Sequence, residues 1–128
     1  MNILDENIDA VARQQLLSFK IPCRHIGSDI GHSGMKDLND VIPLLHRLRM
    51  PTFFTRDEDF YSRTLVHARY CLVYIDVRAS ESAEYVARFL RRQGFRKRSD
   101  GRGKIIRLRT NRLSYREVNS EKERHLDW

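Results

Sequence analysis

Two periods alternate along this chain. Short apolar runs read as strands, and apolar residues spaced three and four apart read as helices. "NILD" (2–5) is a first buried strand. Ile8, Val11, Ala12, Leu16 and Phe19 then recur at helical spacing and predict a helix over 8–18, with Asn7 as its N-cap. "IPCRHI" (21–26) reads as a second strand, with Pro22 at its start or on an edge. A loop over 27–37 holds Gly27, Gly31 and Gly34. Leu38, Val41, Ile42, Leu45 and Leu48 mark a second helix, which begins at Asn39 or Asp40 if Pro43 is to lie in its first turn. "MPTFFT" (50–55) is a third strand, "EDFYSRTLVHA" (58–68) a short helix, and "YCLVYIDV" (70–77) a central strand buried on both faces. Ser80 caps a helix over 81–94 that turns Ala83, Val86, Phe89 and Leu90 inward. "GRG" (101–103) is a turn before a basic hairpin, "KIIRLRT" (104–110) and "RLSYREV" (112–118). Strand and helix alternate, so the pattern predicts an α/β fold with a mostly parallel sheet and helices on both faces. It predicts one domain over 1–118 and a charged, flexible tail over 119–128.

Composition adds little until charge is considered. The chain has 128 residues, 41% of them hydrophobic, which suits one globular core. No apolar run approaches the roughly 18 residues of a membrane span. The N-terminus lacks a basic-then-apolar leader pattern, so a cytoplasmic location with no membrane partner is expected. Cys23 and Cys71 have no paired spacing and read as reduced, buried thiols. The net charge of +7 is unevenly spread: residues 88–116 hold 12 Lys or Arg and one acid, Asp100. Such a block suits a polyanion, and a nucleic acid is the expected partner. Arg91, Arg92, Arg96, Lys97 and Arg98 are its candidate phosphate contacts.

Against that charge, two acidic clusters stand at the ends of apolar runs. "ILDEN" (3–7) places Asp5 and Glu6 after the first strand, and "FFTRDEDF" (53–60) places Asp57 and Asp59 after the third. Acids there commonly cap the following helix. In a parallel sheet, however, chemistry gathers at the carboxyl ends of strands. If the two strands are neighbours, the carboxylates converge, and a hard cation such as Mg²⁺ or Mn²⁺ relieves their repulsion. Asp37 and Asp40 stand at the start of another helix. The five histidines show no zinc spacing, and neither a nucleophile elbow nor a P-loop is present.

These motifs together resemble the PIN-like nuclease superfamily, in its short stand-alone branch of often toxin-type proteins. The resemblance runs over residues 2–118, through "GHSGMKDLNDVI" (31–42), "CLVYIDVRASESAEYVARFL" (71–90) and "GKIIRLR" (103–109). It implies a three-layer sandwich with a C-terminal β-hairpin and metal-dependent ribonuclease activity. It also implies Mg²⁺ or Mn²⁺ as cofactor and an antitoxin protein as a second partner. A homodimer is left open. Asp5 and Asp57 match the family's metal ligands, with Asp59 as neighbour and further ligand. Asn7 and Thr55 match the supporting positions, and Glu6 and Arg56 stand beside them. The family's middle acid falls at Asn39, where Asp40 is the adjacent catalytic candidate and Asp37 the alternative. Two other readings remain. One is an inactive PIN-like module that binds RNA or protein. The other is a phosphoacceptor receiver domain with Asp57 as acceptor, which lacks a matching Lys after its last parallel strand.

Overall fold

The computed structural model describes residues 1–35, 37–92, 94–95 and 98–128, with the side chain of Arg98 left out. Among them run β1 (Asn2–Leu4), α1 (Ala10–Ser18), β2 (Arg24–His25), α2 (Leu38–Arg47) and β3 (Thr52–Thr55). They are followed by β4 (Cys71–Ile75), α3 (Ser82–Arg91), the single turn α4 (Arg98–Gly101), β5 (Lys104–Leu108), β6 (Arg112–Glu117) and β7 (Arg124–Asp127). The strands form one sheet in the order β2-β1-β3-β4-β5-β6-β7. The first five are parallel and the last two antiparallel.

Alternation within the strands builds two cores. Leu4, Phe54, Val73 and Ile106 face one side of the sheet and meet Ala12 and Leu16 of α1 and Val86 and Phe89 of α3. Ile3, Phe53, Leu72 and Ile105 face the other side and meet Val41, Leu44 and Leu45 of α2. Two helices therefore cover one face and one covers the other. Right-handed crossovers put α1 and α2 on opposite faces, because β1→β2 and β2→β3 run in opposite directions across the sheet. The β4-α3-β5 connection runs the same way as β2-α2-β3 yet lies on the face of α1, so it has the opposite hand. The reversal of direction falls between β1 and β3. The first crossover leaves β1 for β2; the second returns over β1 to reach β3. The carboxyl ends of β1 and β3 thus flank the switch point at which open α/β sheets form a crevice.

Several boundaries differ from the sequence pattern. Helix α1 starts at Ala10 because Asp9, not Asn7, caps it, its side chain accepting from the Ala12 N–H at 2.8 Å. Asp37 caps α2, which starts at Leu38, so Pro43 lies in the second turn, where it stays exposed. The expected helix over 58–68 is two 3₁₀ turns, Glu58–Phe60 and Arg63–Leu65. Ser80 does not cap α3; it lies in a 3₁₀ turn over Ala79–Glu81 that leads straight into the helix. Strand β2 is only two residues long, and Pro22 lies outside it. Its outer edge is closed from within: the His25 N–H donates to Asp29 Oδ2 at 2.9 Å, and the His25 carbonyl accepts from the Asp29 N–H at 2.8 Å. Cys71 is buried, its thiol pushed up to about 12 by desolvation, whereas Cys23 is only half-buried.

The charged C-terminus is not a loose tail. Residues 124–127 form β7 and pair with β6, Leu113 opposite Leu126. Leu126 and Trp128 pack on the core shared with α3, and the Trp128 indole N–H donates to the Arg109 carbonyl at 2.8 Å. Two apolar residues in ten suffice because only one face of this edge strand is covered. Truncation after Glu123 is therefore expected to cost about 2–4 kcal/mol of stability, the burial of two large apolar side chains. Urea unfolding of the truncated and full chains measures it; unchanged midpoints would mean that β7 contributes nothing.

Candidate active site

Asp5 is the first residue beyond β1, and its N–H extends the ladder by donating to the Phe54 carbonyl at 2.9 Å. Its side chain is only 2% exposed. Thr55, the last residue of β3, is fully buried beside it. The Thr55 hydroxyl donates to Asp5 Oδ2 at 2.7 Å. Thr55 Oγ1 in turn accepts the Asn7 side-chain N–H at 3.2 Å and the Asp57 backbone N–H at 3.0 Å. Asn7 completes the closure, donating to Asp5 Oδ2 at 3.1 Å and accepting the Arg56 N–H through Oδ1 at 3.0 Å. Asp5 Oδ1 accepts the Glu6 N–H at 2.7 Å. The spacing Asp-x-Asn after one strand and Thr-x-Asp across the end of its neighbour thus knits two strand ends into one polar unit.

The unit opens on a cleft of about 500 Å³ lined by Asp5, Glu6, Asn7, Arg56 and Asp57. Burial pushes the Asp5 carboxyl above the usual carboxylate range. The Thr55 and Glu6 hydrogen bonds pull it back, while the charges of Asp57 and Glu6 raise it further. An ionised Asp5 is thus a desolvated anion among other anions, which a bound cation would relieve. Asp57 is half-buried, and its Oδ1 accepts the Asp59 N–H at 2.9 Å, capping the 3₁₀ turn that follows. Capping and cleft lining are therefore both true of this residue. Glu6 turns sideways, its Oε1 accepting the Gly34 N–H at 2.7 Å and so tying the loop after β2 to the cleft. Gly27 has φ +96°, and a Cβ there would lie 2.7 Å from the same oxygen. The sequence pattern marked these glycines as loop formers, and nothing in it revealed that they seat Glu6.

The other expected residues lie elsewhere. Asp59 shares a separate depression with Leu38, Glu58, Tyr61, Ser62, Tyr74 and Arg107. Asp40 is exposed on the first turn of α2, where its backbone N–H donates to Asp37 Oδ1 at 3.1 Å. Neither Asp37 nor Asp40 lines the cleft. Among the described residues, no group of three or more His, Cys, Asp or Glu is placed to hold one metal ion. The residues that line the cleft fit a cation held by Asp5 and Asp57 with water completing its shell, the usual arrangement for Mg²⁺.

The start of the basic block, at the end of α3, is also set apart. Helix α3 runs back toward the amino ends of the strands, where Leu90 and Phe95 line a cavity with Asn2, Pro22 and Thr52. Arg91 there lies over the Phe19 ring, with 5.9 Å from its guanidinium to the centroid. Arg92 reaches the Asp127 carbonyl at 3.1 Å. Arg96, Lys97 and the side chain of Arg98 lie outside the described residues. Arg56 is the basic side chain that lines the cleft itself.

Comparison of the chain with protein-family models, curated proteins and solved structures found no match.

Thr55→Val is expected to cost about 1–3 kcal/mol, since it leaves the half-buried Asp57 N–H without its acceptor, takes one of two acceptors from the Asn7 side chain and removes a bond to a buried carboxylate. It should also move the Asp5 pKa further up, because the hydroxyl is its main stabilising bond. The pH dependence follows from the sign. A raised carboxyl favours folding below its unfolded pKa of 3.8, and that contribution is lost as pH rises through the folded value. Carboxyl NMR titration of wild type and Thr55→Val checks both statements; an Asp5 pKa at or below 3.8 would contradict them. Gly27→Ala is expected to destabilise by about 1–2 kcal/mol from backbone strain, with added crowding of Glu6. Chemical denaturation measures it.

Proposed function

We propose that this chain is a PIN-like, divalent-cation-dependent hydrolase of phosphodiester bonds, with RNA as its substrate. One observation carries the reading. A desolvated Asp5 and a second carboxylate, Asp57, are fixed on one cleft at the β1/β3 switch point by a hydrogen-bond web centred on Thr55. Asp5, through its less occupied Oδ1, and Asp57 would hold Mg²⁺ or Mn²⁺. When bound, such an ion supplies charge neutralisation at phosphate and a more acidic water.

The chain's own groups do the rest. Thr55 and Asn7 fix the orientation of Asp5, so its carboxylate does not reorganise when charge builds in the cleft. Glu6 holds the loop after β2 in place and leaves Gly34 N–H satisfied. Arg56, exposed on the rim, offers a positive group to a phosphate oxygen. The net charge of +7 favours a polyanion at long range. Neutralisation by an antitoxin protein rests on the resemblance alone.

A second reading has its own support. With no group of three or more His, Cys, Asp or Glu placed to hold one ion among the described residues, an inactive module that binds RNA or protein fits the same fold. The strand order β2-β1-β3-β4-β5 is also the doubly wound order used by receiver domains. Asp57, however, spends one oxygen on a turn cap.

Cleavage and binding of a labelled single-stranded RNA, with Mn²⁺ or with chelator, separate these readings. Asp57→Asn is expected to lower cleavage about 100-fold or more while RNA binding persists or tightens, since it removes a negative charge from the cleft. Chelator should stop cleavage by wild type. Unchanged cleavage by Asp57→Asn would overturn the nuclease reading, and equal RNA binding in chelator without any cleavage would favour the inactive module.

A further inference from the structure

Strand β7 is one margin of the sheet and pairs with β6 on one side only. Its ladder fixes which backbone groups are spare. Antiparallel neighbours alternate bonded and non-bonded pairs. The Trp128 N–H donates to the Asn111 carbonyl, while the Arg112 carbonyl is taken on its other side by the Arg109 N–H. Arg124, Leu126 and Trp128 therefore turn their N–H and C=O groups in to β6, and His125 and Asp127 turn theirs outward. Among the described residues, the His125 N–H and C=O and the Asp127 N–H meet no protein partner. The Asp127 carbonyl accepts from Arg92 at 3.1 Å and keeps a second lone pair. Side chains alternate as well. Leu126 and Trp128 lie on the face of α3, with Arg124 beside Glu117 at 3.6 Å. His125, whose Nδ1 lies 2.8 Å from Ser114 Oγ, and Asp127 are on the opposite face.

These directions restrict what can pair with β7. For a second β7 laid antiparallel, a slip of one residue sets outward groups against groups that β6 already holds. Placing His125 opposite its own equivalent sets Glu123 against Asp127, and placing Asp127 opposite its equivalent sets two carboxylates together; like charges directly opposite are unfavourable. Placing Leu126 opposite Leu126 removes every such conflict. His125 then faces Asp127 on both sides of the axis, and Arg124 faces the Trp128 ring. The two leucines share the close, non-bonded site at the centre. Residues 124–128 are thus their own complement, as a two-fold interface demands. We propose that a second copy of this chain docks on β7, antiparallel with Leu126 opposite Leu126, so that two sheets continue as one. His125 of each copy exchanges backbone hydrogen bonds with Asp127 of the other. The overlap is short, so the dimer is weak and depends on concentration.

The test uses the full chain. In sedimentation equilibrium up to about 500 µM, the mass should rise with concentration from 15.2 kDa toward twice that value. His125→Glu sets a carboxylate against Asp127 twice across the axis and should weaken the dimer about tenfold or more. Adding Asp127→Lys sets opposite charges there again and should restore it. Thermal melting checks that each variant folds. The register is read by mild oxidation. Leu126→Cys should give a disulfide-linked dimer, since non-bonded antiparallel pairs bring Cα atoms to about 4.5 Å, within disulfide reach. Arg124→Cys should stay at the wild-type background, because its equivalent lies roughly 13 Å away along the strand. A mass of 15.2 kDa at every concentration overturns the proposal. So does a dimer that His125→Glu leaves as tight as wild type, which would use another surface. Cross-linking of Arg124→Cys as readily as Leu126→Cys overturns the register and with it the argument from complementarity.

Discussion

The hydroxyl of Thr55 has one proton to give and two lone pairs to fill, and all three are committed. It donates to Asp5, and it accepts from Asn7 and from the Asp57 backbone. This oxygen joins the end of β1 to the end of β3, two strands already paired along their length. It lets a carboxylate persist at 2% exposure, because the bonds offset part of the cost of desolvation. It also fixes the path of the chain into the turn that brings Asp57 round to the cleft. Without it Asp5 would be a buried charge with a single side-chain donor, Asn7, and the cleft would lose its shape.

The fold sets what this unit can face. Because the chain reverses direction at β1, α1 and α2 lie on opposite sides of the sheet, and among the described residues no helix lines the gap between the ends of β1 and β3. The acids sit in that gap. Arg91 and Arg92, at the end of α3, lie toward the other end of the strands and do not line the cleft. Positive charge close to the acids comes from Arg56 on the rim and from Arg107, which shares a depression with Glu58 and Asp59. The two charge patterns seen in the sequence therefore meet at Arg107 and separate at the end of α3.

Much of the α/β character was legible because each strand alternates or is wholly apolar. Ile3 and Leu4, or Phe53 and Phe54, each serve one core per residue. The pairing of Asp5 with Asp57 was legible as a conditional: it needed β1 and β3 to be neighbours, and strand order is not written in local pattern. Asn7 misled because a capping residue and a cross-strand donor look alike in sequence; Asp9, two residues on, took the cap. Asp40 looked inward from its helical register, yet the start of α2 is fixed by the Asp37 cap and leaves Asp40 in water. The C-terminal strand was missed because its apolar content is two residues, enough for an edge but too little for a periodicity.

The closure of β2 by its own loop bears on how the molecule can meet its copies. A sheet grows by lending unpaired N–H and C=O groups to an incoming chain. At β2 the outward His25 N–H is already held by Asp29, and its carbonyl is already occupied. An arriving strand would have to unseat that loop, which Glu6 also anchors through Gly34. Fibril-like stacking is therefore obstructed at this margin by the short loop that follows β2.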